Sequence, residues 1–249
     1  MTGKTLKIDM RRRQILERLD RDHTVTVAQL SRELGATPVT IRNDLAALEA
    51  ESRLRRVRGG AVDASPELLF GALSQEKAAI GEAFAGQVRE GDRLFLNSGT
   101  TSRAVAHALR RFHTLSVVTN SPPVARLLTD RFHVVLLGGS VSAGGDFTSG
   151  EDTLNQLARY QTDWAIVSVD SISAAEGVSI CHPEESAVSR GMLERAARGV
   201  IVADHTKVGR TGFVRMCAAA APLMLATDRE ADAGELDALR SAGVEVLLA

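Results

Sequence analysis

The sequence predicts two domains, a small winged helix-turn-helix followed by a mostly parallel α/β domain. Three observations give this prediction. A capped amphipathic helix follows a short helix and a turn near the N-terminus, and seven short apolar runs alternate with helical segments further along. Charge also divides the chain: residues 1–62 hold 13 Lys and Arg against 8 Asp and Glu, a net of +5, whereas residues 63–249 carry −6. A basic front indicates a polyanionic partner.

Composition and cysteine usage exclude several classes of protein. With 44% hydrophobic and 24% charged residues, the chain has ordinary globular composition rather than that of a disordered or collagen-like protein. Its two cysteines form no CxxC pair, which argues against a disulfide framework and favours a reducing compartment. No apolar leader follows the basic N-terminus, so we expect a cytoplasmic protein. The six histidines show no ligand spacing, and we predict no metal site and no cofactor.

Helical spacing of apolar residues predicts a first helix from Met10 to Arg21 and a second helix that ends at Gly35, with a short strand at 24–26 between them. Gly35 lacks a β-carbon and so permits the left-handed turn that ends a helix. A third helix follows within three residues. This order is that of a helix-turn-helix, and the alternative is a small helical bundle that binds no nucleic acid.

The third helix has the features of a DNA recognition helix. Thr37 suits the N-cap and Pro38 the first helical position, where no amide hydrogen is needed. Ile41, Leu45 and Leu48 share one face, which we expect to pack on a core. The side chains on the opposite face are short and polar, which allows the helix to approach base edges in a major groove. We expect Asp44, at the edge of the core face, to be structural, and we assign DNA contacts to Thr37, Val39, Thr40, Arg42 and Asn43.

An arginine-rich hairpin at 53–62 predicts the wing. Charged runs on protein surfaces are usually only solvated, but these arginines follow a predicted recognition helix, beside which the phosphates of DNA would run. We expect Arg55, Arg56 and Arg58 to contact phosphates and to position the module rather than to specify sequence. The predicted DNA-binding domain spans 1–62, and a linker that contains Ser65-Pro66 spans 63–73.

The predicted α/β domain spans 74–249. After a helix at 74–88, the apolar runs lie at 93–96, 115–119, 133–137, 164–169, 199–203, 223–227 and 244–248. Ligands of open α/β sheets bind beyond the carboxyl ends of the strands, so the loops there are candidate binding loops. Asn97-Ser98-Gly99-Thr100-Thr101 follows the first run and opens a helix, whose free amides attract an anion. This loop is a candidate phosphate cradle, with an ordinary capped turn as the alternative.

Small polar, glycine or charged residues also follow later runs. Thr119-Asn120-Ser121 and Gly138-Gly139 close the second and third runs and leave room for a compact polar ligand. Asp170 follows the fourth run, and Glu184 and Glu185 open a helix. Carboxylates in a first helical turn are favoured by the dipole alone, and Lys207, after the fifth run, has the alternative of a solvated loop lysine.

These motifs resemble the DeoR family of bacterial transcriptional regulators over nearly the whole chain. The resemblance rests on Thr40 to Leu45, the Gly-Gly-Ala that ends the wing, the three strand-end loops and the segment from Ala203 to Arg210. It implies a repressor whose DNA affinity changes when a phosphorylated sugar or glycerol 3-phosphate binds in a domain similar to sugar-phosphate isomerases. The implied effector-binding residues are Asn97, Ser98, Gly99, Thr100, Thr101, Thr119, Asn120, Ser121, Gly138, Gly139, Asp170, Glu184, Glu185 and Lys207.

The chain departs from the family pattern at five positions. Asn43 stands where the family usually has arginine, and since asparagine suits adenine whereas arginine suits guanine, a family operator sequence does not transfer. Ser52 stands just before the wing, where the family usually has glycine. Asn97 replaces an aspartate, which we expect to change how a sugar hydroxyl is bound. Ser168 and Ser171 replace glycines and add bulk near the expected pocket.

Two other functions fit parts of the pattern. A sugar-phosphate isomerase would use the carboxylates for proton transfer beside a carbonyl, but a free-standing isomerase gains nothing from a basic winged helix. A structural DNA-binding protein with an inert body would not need polar residues at several strand ends. The sequence favours a regulator that is not an enzyme. Because one winged helix covers only a short half-site, we expect a dimer or tetramer on operator DNA.

Overall fold

The computed structural model describes residues 3–22, 24–50, 53–57, 59–63 and 74–249. The chain divides into two compact units, residues 1–72 and 73–249. Most of the predicted linker and Arg58 of the predicted wing lie outside the described residues, as do the side chains of Arg55, Val57 and Val62.

The N-terminal unit combines three helices with a three-stranded antiparallel sheet. Its elements are α1 (Gly3–Asp22), β1 (Thr24–Thr26), α2 (Val27–Glu33), α3 (Pro38–Ala50), β2 (Leu54–Val57) and β3 (Gly60–Asp63). The strand order is β1-β3-β2, so the β2–β3 hairpin pairs through β3 with the short strand between the first two helices. The prediction of a winged helix-turn-helix is confirmed.

One face of α3 builds the core of this unit and the other face stays exposed. Ile41, Leu45 and Leu48 are at most 2% exposed and pack with side chains from α1, α2 and the hairpin. The amide of Thr40 donates to the Thr37 hydroxyl at 3.2 Å, which confirms the predicted N-cap. Val39, on the opposite face, is 63% exposed. Core packing and the cap therefore hold α3 with its short side chains directed outward.

The C-terminal unit is a three-layer α/β/α structure. Its helices are α4 (Gln75–Ala85), α5 (Thr100–Leu109), α6 (Pro122–Leu128), α7 (Glu151–Leu157), α8 (Pro183–Glu194) and α9 (Ala233–Ser241), with a 3₁₀ turn at His205–Lys207. Its strands are β4 (Arg93–Leu96), β5 (Ser116–Thr119), β6 (His133–Leu136), β7 (Ser140–Val141), β8 (Thr148–Ser149), β9 (Thr162–Ser168), β10 (Ser171–Ser173), β11 (Gly177–Ile180), β12 (Ala196–Val202), β13 (Val214–Cys217), β14 (Leu223–Thr227) and β15 (Glu245–Leu248). Among the described helices, none has the length and apolar composition that crossing a bilayer requires.

All seven predicted apolar runs form strands of a single parallel sheet. The order is β15-β14-β12-β9-β4-β5-β6, and every neighbouring pair is parallel. Alternate residues of a strand enter different cores, as for Leu94 and Leu96 on one face of β4 and Phe95 on the other. The sheet is therefore covered on both faces, which accounts for the nearly continuous apolar character of its strands.

Two smaller groups of strands were not predicted. β7 and β8 form a two-stranded hairpin, and β10, β11 and β13 form an antiparallel sheet of three. These strands are two to four residues long, and β7, β8, β10 and β11 each contain serine rather than a continuous apolar run. Such short segments form through pairing with distant partners, a contribution that local periodicity does not contain.

Helix α4 approaches α5 closely at Gly81. A β-carbon at Gly81 would lie 2.6 Å from the carbonyl oxygen of Ala104. Ile80 and Phe84 of α4 are fully buried in the core beneath the same helix. The absence of a side chain at Gly81 therefore sets how deeply α4 packs.

We expect Gly81→Ala to lower the free energy of unfolding by about 1 to 3 kcal/mol, because the added methyl forces α4 away from α5. The steric cost of the methyl group should therefore exceed the roughly 1 kcal/mol by which alanine favours a helix over glycine. Urea unfolding of the full chain measures it, with Ala79→Ser on the exposed side of α4 as the control. Equal free energies of unfolding for the two variants would contradict the close approach.

Candidate ligand cavity and nucleic-acid interface

The candidate ligand cavity lies where the strand order of the parallel sheet reverses. From β4 the chain proceeds outward to β5 and β6, whereas from β9 it proceeds in the other direction to β12, β14 and β15. Loops that leave β4 and β9 therefore diverge, which opens a crevice at their carboxyl ends. A cavity of about 400 Å³ lies there, lined by Ser98, Gly99, Thr100, Arg103, Ser121, Pro123, Asp146, Phe147, Ser168, Val169, Asp170, Ile180, Cys181, His182 and Glu185.

The loop after β4 presents the start of α5 to this cavity. Gly99, with a φ of 119°, is the N-cap of α5. Among the described residues, no side chain at the N-cap accepts a hydrogen bond from the first turn of this helix. A β-carbon at Gly99 would lie 2.7 Å from the Ser168 hydroxyl, so a larger residue does not fit. Backbone amides of a first helical turn lack partners inside the helix and attract anions. Ser98, Gly99 and Thr100 thus form a candidate anion cradle in the cavity lining.

Arg103 adds a positive charge one turn along the same helix. Burial is the larger influence on the pKa of Arg103 and lowers it, while the carboxylate of Asp146 acts in the opposite direction. Arginine remains a cation in proteins because its ordinary pKa is very high. Arg103 was not predicted as a site residue. The available signal was its spacing of three residues from Thr100, which places both residues on one side of α5.

Two carboxylates, Glu185 and Asp170, also line the cavity. Glu185 is 9% exposed and accepts a hydrogen bond from the Ser98 hydroxyl. Burial raises the pKa of Glu185, the Ser98 hydrogen bond opposes this, and the nearby Asp170 raises it further. Asp170 accepts a hydrogen bond from the Cys181 amide at 2.7 Å, and its other oxygen lies 3.8 Å from the Lys207 ammonium. Lys207 therefore approaches the cavity through Asp170 without lining it.

Asn97 supports the cavity from beneath. It is fully buried, and its amide nitrogen donates to the Ser168 carbonyl at 2.9 Å and to the Ser189 hydroxyl at 3.1 Å. Its carbonyl oxygen accepts from the Ser168 amide and the Ser102 hydroxyl, both at 2.7 Å. One side chain thus joins the ends of β4 and β9 to α5 and α8. This arrangement leaves Asn97 away from the lining, although a contact to a ligand hydroxyl was expected.

Six of the fourteen predicted effector residues line the cavity and eight do not. Those that line it are Ser98, Gly99, Thr100, Ser121, Asp170 and Glu185, and the others are Asn97, Thr101, Thr119, Asn120, Gly138, Gly139, Glu184 and Lys207. Several of the eight are engaged in holding loops in place. The Thr119 hydroxyl accepts from the Ser121 amide, Asn120 donates to the Thr148 carbonyl, and the Gly138 amide donates to Gln156.

The remaining predicted positions occupy other surroundings. Thr101 is buried in α5, whereas Glu184 is exposed at the start of α8. A β-carbon at Gly139 would lie 2.1 Å from the Thr153 hydroxyl, so this glycine allows a close approach between the loop after β6 and helix α7. Of the two serines that depart from the family pattern, Ser168 lines the cavity, whereas Ser171 is 2% exposed within β10.

The β7–β8 hairpin supplies lining residues that were not predicted. Asp146 and Phe147 lie in the connection between β7 and β8, and Phe147 directly precedes β8. The centres of the Phe147 and His182 rings are 5.7 Å apart. His182 and Cys181 come from the loop before α8. Because the hairpin itself was missed, no local pattern could bring these residues to the cavity.

A second polar cluster lies outside the cavity lining. Ligand atoms of His205, Asp228 and Glu230 lie within 4.8 Å of one another, although the histidine spacing predicted no metal site. The Asp228 carboxylate accepts hydrogen bonds from the His205 amide at 2.7 Å and the Glu230 amide at 3.0 Å, and the His205 ring lies 3.0 Å from it. Hydrogen bonds between the segments that follow β12 and β14 account for this grouping.

The N-terminal unit presents the candidate nucleic-acid interface. Val39, Arg42 and Asn43 are exposed on α3, and the hydroxyls of Thr37 and Thr40 lie 2.9 Å apart at its start. The structure thus places the five predicted residues of α3 on or beside one outward face.

Asp44 and Arg56 are engaged within the unit. Asp44 is 4% exposed and accepts hydrogen bonds from Arg11 and Arg12 of α1, which confirms its predicted structural role. Arg56 of the wing donates to Glu49 of α3 from its backbone amide at 2.8 Å and from its guanidinium at 2.6 Å.

A winged helix-turn-helix joined to a sheet domain with a polar cavity at its switch point defines a ligand-responsive DNA-binding protein. A family model described as "DeoR-like helix-turn-helix domain" matches residues 11–67, and one described as "DeoR C terminal sensor domain" matches residues 73–229. The chain belongs to the DeoR family of transcriptional regulators. This family assignment confirms the resemblance inferred from the motifs.

The relatives are named as repressors rather than enzymes. The "HTH-type transcriptional repressor GlcR" of Bacillus subtilis is 33% identical over 94% of this chain and 93% of its own. The "Glycerol-3-phosphate regulon repressor" of Escherichia coli is 29% identical over 85% of this chain and 87% of its own. Ribose 5-phosphate isomerase A of Methanocaldococcus jannaschii is 17% identical over 53% of this chain and 52% of its own, with a TM-score of 0.38, which is too distant to assign an activity.

Burial of Glu185 makes the stability of the protein depend on pH. Because its pKa is raised above the ordinary 4.5, the folded protein holds this proton more tightly than the unfolded chain does. The stabilising effect of the neutral carboxyl is complete below about pH 4.5 and is lost as the pH rises through the raised pKa. Glu185→Gln has a neutral side chain at every pH.

We expect native protein and Glu185→Gln to unfold at similar temperatures near pH 4.5 and the variant to become the more stable as the pH rises. The difference should grow by at most about 1.4 kcal/mol per pH unit. Thermal unfolding between about pH 4.5 and 8 measures it, with exposed Glu184→Gln as the control. A stability difference between the two proteins that stays constant across this range would contradict the raised pKa of Glu185.

Proposed function

We propose that this protein represses genes of carbohydrate or polyol catabolism and that a phosphorylated sugar or polyol in the cavity changes its affinity for operator DNA. The observation that carries this proposal is that one cavity is lined by the uncapped start of α5, by Arg103 and by the carboxylates Asp170 and Glu185. Relatives named glycerol-3-phosphate regulon repressors support the choice of a phosphorylated ligand.

The cavity suits a small ligand with a phosphate at one end and hydroxyls at the other. The first-turn amides of α5 and the Arg103 guanidinium attract the phosphate, since helix N-termini and arginine both favour anions. The carboxyl groups of Asp170 and Glu185 accept hydrogen bonds from hydroxyls. A volume of about 400 Å³ is at the small end for ligand pockets, as a sugar phosphate or glycerol 3-phosphate requires.

Regulation requires that the ligand and DNA favour different arrangements of the protein. If the ligand binds one arrangement more tightly, it changes DNA affinity by the same coupling free energy that DNA imposes on ligand binding, commonly about 1 to 3 kcal/mol. We further propose a homo-oligomer, a dimer or tetramer, since one winged helix reads only a short half-site. A regulator acts where the chromosome is, so we place it in the cytoplasm.

On the DNA side, we propose that Thr37 before α3 and Val39, Thr40 and Asn43 on α3 meet the major groove. Arg42, which flanks this face, and Arg55, Arg56 and Arg58 of the wing meet phosphates. The outward direction of the α3 face supports the first assignment. Asn43 is the residue of this face best suited to an adenine edge, because its side-chain amide both donates and accepts a hydrogen bond.

A thermal-shift screen tests the effector assignment. We expect one phosphorylated compound, among glycerol 3-phosphate and the phosphates of common sugars, to stabilise the protein by about 2.7 kcal/mol at 100 times its Kd, with no shift from its unphosphorylated partner. Arg103→Gln should lose most of this shift, whereas Arg126→Gln, an exposed arginine of α6, should keep it. A shift that survives in Arg103→Gln would move the phosphate elsewhere, and an absence of shifts from every phosphorylated compound would contradict the proposal.

Substitutions on α3 test the DNA assignment. Selection from a random duplex library identifies the preferred site, and binding to this site and to random DNA is then compared. We expect Asn43→Ala to lose about 1 to 3 kcal/mol of discrimination at one position, and Arg42→Gln to weaken binding to all sequences with a salt slope shallower by about 1. Equal losses on selected and random DNA for both variants would show that the two residues do not divide the roles in this way.

A further inference from the structure

Two carboxylates of the recognition helix are held by arginines from other elements. Asp44 is nearly inaccessible to solvent, at 4% exposure. Its oxygens lie 2.5 Å from the Nε of Arg11 and 3.3 Å from the Nε of Arg12, both on α1. The guanidinium groups contact Asp44 through Nε, and the arginine side chains keep 20% and 28% of their surface exposed.

Glu49 makes an equivalent connection to the wing. One carboxylate oxygen accepts the Arg56 amide at 2.8 Å, and the other lies 2.6 Å from the Arg56 Nε. The Arg56 side chain remains 48% exposed. A backbone contact and a side-chain contact together fix both the strand and the direction of this guanidinium.

The two carboxylates lie on opposite borders of the outward face of α3. At about 100° per residue, Asp44 is displaced by roughly 100° to one side of Asn43 and Glu49 by roughly 120° to the other. Val39 and Asn43 occupy the exposed arc between these borders. A helix that enters a major groove has a phosphate strand along each side. Arg11 and Arg12, held by Asp44, therefore lie on one side of the face that enters the groove, and Arg56 lies on the other.

We propose that Asp44 and Glu49 are positioning residues for DNA binding, which hold Arg11 and Arg12 at one border of the recognition helix and Arg56 at the other so that these arginines bind the two phosphate strands. The carboxylates do not touch DNA in this arrangement. They restrict flexible side chains before binding and so reduce the entropic cost of forming a phosphate contact.

The sign of the effect separates positioning from plain electrostatics. An aspartate or glutamate near DNA repels phosphate, so neutralising it would ordinarily strengthen binding. Positioning requires the reverse. Asp44→Asn and Glu49→Gln should each weaken binding, because the arginines remain in the chain but are no longer held beside the phosphate strands.

Binding to a labelled 30-bp duplex of random sequence tests this proposal, because phosphate contacts are independent of sequence. The probe needs no knowledge of the operator. With full-length protein, we expect each variant to bind about 3- to 10-fold more weakly at 0.1 M salt, with a shallower dependence of log K on log salt, by up to about 0.9 for each phosphate that is no longer neutralised. Glu17→Gln is the matched control, because Glu17 pairs with Arg13 on the exposed side of α1. It should bind as the native protein does or more tightly.

A triple variant, Arg11→Gln with Arg12→Gln and Asp44→Asn, removes both arginine charges and the carboxylate of the α1 border together. It should bind no more weakly than Asp44→Asn alone, since the arginines contribute only while Asp44 holds them. Unfolding temperatures are measured for every variant, and binding is compared well below them. Should Asp44→Asn fail to fold, Glu49→Gln still carries the test, because weaker binding and a shallower slope than native are expected there only if Glu49 positions Arg56.

Two results would overturn the proposal. Folded Asp44→Asn or Glu49→Gln that binds the duplex as tightly as the native protein, with an unchanged slope, shows that the carboxylates do not position phosphate ligands. A triple variant that loses much more affinity than folded Asp44→Asn shows that the α1 arginines bind DNA without help from Asp44.

Discussion

The C-terminal unit depends on the four hydrogen bonds of the buried Asn97 side chain. They tie the last residue of β9 to the loop that follows β4, and they reach α5 and α8 through Ser102 and Ser189. Strand order reverses at this junction, so neither neighbouring loop continues across it. A neutral amide suits the position, because it both donates and accepts hydrogen bonds without placing a charge under the cavity. The positions of the loop after β4 and of the loop after β9 in the cavity lining follow from this connection.

The main architecture was predictable because its signals are local. The cap at Thr37, the apolar face of α3 and the seven apolar runs are each contained in a few consecutive residues, and the structure forms the corresponding helix and strands. The short strands β7, β8, β10, β11 and β13 were missed. Their formation depends on pairing partners elsewhere in the chain rather than on their own pattern.

The same distinction between local and distant contacts applies to the site. Ser98, Gly99 and Thr100 line the cavity, as expected from a loop that opens a helix beyond a strand. Asn97 and Asn120 carry equally polar side chains at strand ends but are buried supports. Composition cannot separate these cases, because a polar residue at a strand end satisfies either a ligand or the backbone of a neighbouring loop. Likewise, the pairing of Asp44 with α1 joins residues more than thirty positions apart.

The pairing of β4 with β9 has a consequence for biosynthesis. Arg93 at the start of β4 bonds to Asp163 in β9 across 70 residues of intervening chain, and Glu185 follows later still. A nascent chain therefore contains the loop after β4 long before it contains Asp170 and Glu185. The cavity is completed only after all of its lining residues have left the ribosome. In the proposed function, a ligand that contacts both the early and the late lining residues also holds the two parts of the domain together, so its binding stabilises the folded protein.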